Sequence, residues 1–209
     1  GLGCPRSGGQ SRYCCARGHA GRDDGAALVM DLPLRGWFAH RVGGALLPEN
    51  TLAGIHLAAR LGYRAVEFDV MLSRDGTPIL IHDDTLERTT NGAGPVSETA
   101  DAVLFALDAG QGERIPRFSE AAALCRHYGL LANVEIKPAP GHEIRTAEVV
   151  ASLTAEYWRG AAVQPLISSF SLAALAVARD VAPEIRRGVL YESVPAGWHD
   201  DLRCLQVFS

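Results

Sequence analysis

No apolar run in this chain approaches the roughly 20 residues that cross a bilayer. The short run from Ala26 to Met30 is too brief for a signal-peptide core, and no small-residue cleavage site follows it. A basic excess is also missing: the formal net charge is -4 and the sequence pI about 6.0. The clustered positive field of a nucleic-acid binder is therefore not expected. Cysteine is sparse and unpatterned. The five residues Cys4, Cys14, Cys15, Cys125 and Cys204 are odd in number and fit no zinc spacing, which points to thiols in a reducing compartment. These absences favour a cytoplasmic protein without stable membrane insertion.

What remains is ordinary globular composition, 47% hydrophobic and 21% charged, over 209 residues. That length holds one sizeable core. Residues 1–30 are rich in Gly, Arg, Ser and Cys and lack any period of 2 or 3.6, so they read as a disordered or non-native leader, with Met30 as a natural start. The patterned domain spans residues 31–209.

Within it, short apolar runs alternate with amphipathic stretches. Trp37-Phe38-Ala39 predicts a strand running into His40. Thr51 to Leu61 predicts a helix with Asn50 as N-cap and Leu52, Ile55, His56 and Ala59 on one face. Strands are expected at Ala65 to Met71, Pro78 to His82, Leu131 to Lys137, Leu166 to Phe170 and Gly188 to Tyr191. Helices are expected at Ser119 to Tyr128, Glu143 to Arg159 and Ser171 to Val181, and a polar loop from Asp83 to Ala100. This alternation is the grammar of a parallel α/β domain, whose polar chemistry gathers at the C-terminal ends of strands.

Glu67 and Asp69 lie two apart on one strand and share a face. On a buried strand they repel and lose hydration, and a hard divalent cation such as Mg²⁺ or Ca²⁺ offsets that. A half-solvated antiparallel strand would carry the same alternation. Glu135 and Lys137 repeat the spacing, as a third ligand with a neighbouring point charge or as a surface ion pair. His40 and His82 end strands and titrate near neutrality, so they suit an acid/base pair. Arg41 offers a planar fork for a phosphate.

The ordered set His40-Arg41, Pro48-Glu49-Asn50-Thr51, Glu67-Phe68-Asp69-Val70, Asp75-Gly76, His82-Asp83, Arg88-Thr89-Thr90-Asn91-Gly92, Ile115-Pro116, Glu135-Ile136-Lys137 and Ser169-Phe170 resembles the glycerophosphodiester phosphodiesterase family. The resemblance runs from about residue 36 to residue 191. It implies a TIM-like (β/α)8 barrel and hydrolysis of glycerophosphodiesters to an alcohol and glycerol 3-phosphate. It implies His40 and His82 as the acid/base pair, and Glu67, Asp69 and Glu135 as ligands of a divalent metal. Arg41 and Lys137 fall at phosphate-contacting positions. Glu49 and Asn50 brace the first loop, with Glu49 close to the metal. Inactive remnants and related phospholipase-type barrels are the competing readings.

Two departures stand out. The family has Gly after the His-Arg pair, where this chain has Val42; a positive φ there would strain a β-branched residue. The residues from Asp31 onward are also too few for a closed barrel of about 250 residues. Counting six successive strands leaves the last two βα units unaccounted for. An unclosed barrel exposes strand edges and apolar interior. The isolated 209-residue chain is therefore expected to be poorly soluble or of low stability. Expression and thermal melting check this; a cooperative melt of a soluble monomer would count against it.

Overall fold

A computed structural model describes residues 37–44 and 46–205; the leader proposed for residues 1–30 lies outside them. The described elements are β1 (Phe38–Ala39), α1 (Leu52–Arg60), β2 (Ala65–Leu72), β3 (Pro78–Leu80), α2 (Asp101–Leu104), α3 (Phe118–Tyr128), β4 (Leu131–Ile136), α4 (Glu143–Tyr157), β5 (Leu166–Ser169), α5 (Leu172–Val181), β6 (Arg186–Val189) and α6 (Trp198–Leu205). The sheet runs β1-β2-β4-β5-β6, with every pairing along that path parallel. This is an α/β fold in which helices link successive parallel strands, the arrangement of an incomplete (β/α)8 barrel.

All eight residues of β2 are buried, which excludes the half-solvated antiparallel reading. Its odd and even positions serve different layers. Val66, Phe68 and Val70 join the main core with Val134, Ile136 and Ile167 from β4 and β5. Phe118 of α3 packs on this layer, its ring 6.1 Å from Phe68 and 6.0 Å from Trp158. Glu67 and Asp69 face the opposite side.

The segment Pro78 to His82 departs from the expected order. Its strand pairs with the far end of β2 in antiparallel register, Val70 opposite Leu80 and Leu72 opposite Pro78. It is a hairpin arm, and the parallel strands among the described residues number five. Turn residues explain the reversal: Gly76 sits at φ 84, and the Ser73 and Thr77 hydroxyls both donate to Asp101, at 2.6 and 2.5 Å. The five residues from Ser73 to Thr77 cannot accommodate the crossover a parallel return needs. The arm and the excursion after it have a small core of their own, with Met71, Ile79, Leu86, Val96, Leu104 and Ile115.

Smaller corrections concern α1 and β6. The N-cap of α1 is Thr51, whose hydroxyl accepts from the Gly54 N–H, and not Asn50. The buried face of α1 carries Gly54, Ile55 and Ala58, while His56 is exposed. A Cβ on Gly54 would lie 2.8 Å from the Gly43 nitrogen and 2.9 Å from Val42 Cγ2, so the helix approaches the first loop at a distance only glycine permits. Strand β6 begins two residues before the expected Gly188 because Arg187 is buried; its guanidinium donates to Ala182 O and Ile185 O near the end of α5.

Val42 does sit at φ 54 and is 2% exposed. Its N–H donates to Glu67 O at 3.0 Å, which ties the loop to β2. Replacing it with glycine relieves about 1–2 kcal/mol of left-handed strain. The substitution also removes three buried carbons worth roughly 2.4 kcal/mol and adds chain entropy of about 0.5–1 kcal/mol. Burial wins, so Val42→Gly is expected to destabilise by about 1–2 kcal/mol in denaturant unfolding; a gain in stability would show that strain dominates.

Candidate active site

Strands β2 and β4 pair with Glu67 opposite Asn133 and Asp69 opposite Glu135. Side chains two apart on each strand thereby meet across the ladder. Ligand atoms of Glu67, Asp69 and Glu135 all lie within 4.8 Å of one another, and all three residues are buried. Burial pushes the carboxyls of Glu67 and Glu135 up to about 7, reinforced in both by the neighbouring Asp69 charge.

The other predicted residues gather around this cluster. The Arg41 N–H donates to Glu67 Oε2 at 2.9 Å, and His40 Nε2 is 3.7 Å from the same oxygen. His40 is largely exposed. Asn50, buried and at φ 57, exchanges two hydrogen bonds with Asp69: Nδ2 donates to Oδ2 at 2.9 Å, and the Asp69 N–H donates to Oδ1 at 3.2 Å. Lys137 Nζ is 3.9 Å from Asp69 Oδ1 and 2.6 Å from His82 Nε2. The lysine thus turns to Asp69 and His82, and the surface Glu135–Lys137 pair is not formed.

Glu49 does not join the acid cluster. Its carboxylate accepts from Arg41 Nη1 at 3.0 Å and from both terminal nitrogens of Arg88, at 2.7 and 2.9 Å. Those contacts, Arg88 first, hold it below the ordinary carboxylate range. Arg88 also donates to both oxygens of Asp83, which is held well below that range, and Asp83 Oδ1 lies 2.6 Å from His82 Nδ1. A closed ring results, running Asp69, Lys137, His82, Asp83, Arg88, Glu49, Arg41 and back to Asp69, where Arg41 Nε is 3.9 Å from Oδ2.

Asp83 and Arg88 had no assigned role in the sequence, because a polar loop shows no periodicity that would aim its side chains. Asn133 and Ser168 are further additions. Ser168 lies opposite Glu135 on β5, and Asn133 Oδ1 and Ser168 Oγ are buried without a hydrogen-bond partner beside the acid cluster. The alternation that marks Glu67 and Asp69 holds for them too, but uncharged residues give weaker contrast.

The buried Glu67 Oε1 also has no partner. A buried carboxylate oxygen left unpaired is costly, and Arg41 and Lys137 stop short of hydrogen-bonding distance to Asp69. An all-oxygen donor set with excess negative charge fits a hard divalent cation. Glu67 Oε1 is the atom best placed to ligate it, since Oε2 is held by the Arg41 N–H.

A parallel α/β sheet with a buried carboxylate cluster, flanked by imidazoles and cationic side chains, suits hydrolysis of a phosphate ester, and the family that the chain matches makes it a phosphoric diester hydrolase. Residues 40–209 match the profile of the Glycerophosphoryl diester phosphodiesterase family, and the chain belongs to that family. A glycerophosphodiester phosphodiesterase of Caldanaerobacter subterraneus subsp. tengcongensis is 35% identical over 177 residues, covering 79% of this chain and 70% of that protein. A phosphodiesterase of Oleispira antarctica, solved with the product sn-glycerol-3-phosphate, superposes with TM-score 0.75 at 40% identity, covering 81% of this chain and 71% of that one. A glycerophosphodiester phosphodiesterase of Agrobacterium tumefaciens gives TM-score 0.63 at 33% identity; this chain covers 63% of its length.

The acid cluster sets a pH dependence. In the cation-free folded protein Glu67 and Glu135 keep protons up to about pH 7, against an ordinary value of 4.5. Between those values the folded state binds more protons than the unfolded state, so stability falls as pH rises, by up to about 1.4 kcal/mol per pH unit for each group. Chelated protein is expected to lose Tm from pH 4.5 to 7 through these groups. Excess Mg²⁺ or Ca²⁺ should raise Tm far more at pH 7.5 than at pH 5, with proton release on binding. Equal shifts at both pH values would argue against a cation at these carboxylates.

Proposed function

We propose that this chain carries the catalytic machinery of a metal-dependent glycerophosphodiesterase, which hydrolyses glycerophosphodiesters to an alcohol and glycerol 3-phosphate. The observation that carries the reading is the convergence of Glu67, Asp69 and Glu135 within 4.8 Å, next to both imidazole-bearing loops. The relatives' named activity and the product held by the Oleispira structure support the substrate class.

Glu67, Asp69 and Glu135 would hold Mg²⁺ or Ca²⁺, which when bound supplies Lewis-acid stabilisation of charge on the phosphoryl oxygens. Arg41 and Lys137 border the same place with donors to spare. Arg41 Nε is buried and makes no hydrogen bond, and an incoming phosphoryl oxygen satisfies it. Lys137 Nζ swings from His82 Nε2 to the phosphate as a point charge. That movement frees Nε2 of His82 to take the proton of the nucleophile, which is water or the substrate's glycerol 2-hydroxyl. His40, exposed beside Glu67, donates a proton to the leaving alkoxide. Proton transfers of this kind contribute about 10²–10⁴-fold each. Asn50 keeps Asp69 turned toward the cluster, and Glu49 keeps Arg41 extended. The substrate is a small molecule, and no helix among the described residues is long and apolar enough to cross a membrane.

The test is release of glycerol 3-phosphate from glycerophosphocholine, abolished by chelator and restored by Mg²⁺ or Ca²⁺. His40→Ala and His82→Ala should each abolish turnover with the thermal melt unchanged. Normal activity in both purified variants would refute the acid/base assignment.

A further inference from the structure

Arg88 is spent on four hydrogen bonds to two carboxylates, and the proposed mechanism does not use it. Its Nη1 and Nη2 fork onto Glu49, while Nε and Nη2 fork onto Asp83, all between 2.5 and 2.9 Å. Beyond Asp83 stands His82, hydrogen-bonded at both ring nitrogens. The Lys137 ammonium has only protons to offer. At 2.6 Å from Nε2 it donates, so Nε2 carries the lone pair and the ring proton is on Nδ1, shared with Asp83 Oδ1.

We propose that Arg88 is a positioning residue that sets the tautomer of His82. Its guanidinium fixes the Asp83 carboxylate where it accepts the Nδ1 proton, which presents the Nε2 lone pair to the reacting atoms.

The geometry requires the fork. Asp83 adjoins His82 in an irregular loop and is about a quarter exposed, so its carboxylate has water as an alternative partner. Two parallel bonds from one plane define its rotation, which a single donor cannot do. The far side of the same plane is anchored on Glu49, which is itself anchored by Arg41. His82 is thereby oriented with reference to the loop that bears His40 and Arg41, and through Arg41 to Glu67. Arg88 is 47% exposed, but its bonds are bidentate and belong to a charge network, so some loss of stability is expected on substitution. A purely structural role predicts that loss alone with the His82 tautomer unmoved, whereas a tautomer lock predicts a shifted ring proton and a kinetic effect. A base oriented by a third group is the general arrangement of activated catalytic sites.

The proposal rests on the phosphodiesterase reading only for its effect on turnover. Long-range ¹H–¹⁵N spectra of the imidazoles, recorded on the full chain at pH 8 with His82 assigned by substitution, read the tautomer directly. The wild-type chain should show His82 protonated at Nδ1. Arg88→Ala and Arg88→Lys should show a mixture or the Nε2-protonated form. Both variants should lose at least about tenfold in kcat on glycerophosphocholine with KM changed less than about threefold. The lysine variant keeps the charge and serves if the alanine variant fails to fold. An unchanged tautomer in the folded variants overturns the proposal, as does an altered tautomer with full kcat. A wild-type chain that releases no glycerol 3-phosphate defeats the functional reading instead, and the spectra still decide the role of Arg88.

Discussion

Three carboxyl groups that cannot all ionise cheaply in a space a few ångströms wide are the constraint around which this molecule is built. Glu67, Asp69 and Glu135 come from two adjacent strands whose other faces are pure hydrocarbon. Water is excluded, so each carboxylate has to be neutralised by a proton, a cation or a hydrogen-bond donor. The protein supplies donors to only part of the set. Asn50 and the Arg41 N–H serve one oxygen each of Asp69 and Glu67, and Glu67 Oε1 is left with none. A hard cation would relieve a site so arranged, in keeping with the function proposed for it.

The first loop exists in its conformation because of that cluster. Arg41, Val42 and Asn50 all adopt positive φ, three non-glycine residues within ten positions. Strain of this density persists only where surrounding contacts over-determine it. Here the contacts are the Val42 N–H on β2, the close passage of α1 at Gly54 and the paired hydrogen bonds of Asn50 with Asp69. The loop is thus folded onto the carboxylates, which turns Arg41 toward Asp69 and sets His40 beside Glu67. The antiparallel arm β3 delivers the second imidazole from the other side. The arm is held from both sides, with Leu80 in the main hydrophobic layer and Ile79 and Ile81 in the separate small core.

The strand alternation of Ala65 to Met71 and Leu131 to Lys137 was legible because charged residues interrupt β-branched ones at period 2. The same signal was weak for Asn133 and Ser168, which share that face without charge. Pro78 to His82 misled because a short apolar run has the same appearance whether its neighbour is parallel or antiparallel. The strand expected from Gly188 begins at Arg186, and Arg187 is buried by satisfying carbonyls at the end of α5, a partner that composition does not announce.

Taken by itself, the amino-acid order determined the parallel α/β class, the acids that share a strand face, the histidines at strand ends and the family. These are properties of local period and of motif order, which need no knowledge of distant contacts. The resemblance had already named Glu67, Asp69 and Glu135 together; the tertiary structure alone decided how they meet across the ladder, that Glu49 serves two guanidinium groups and not the carboxylate cluster, and that Arg88 and Asp83 connect the two histidine loops. Those facts depend on contacts between segments far apart in the chain, fixed by strand register and by the way the loops close over it. Periodicity carries no information about either.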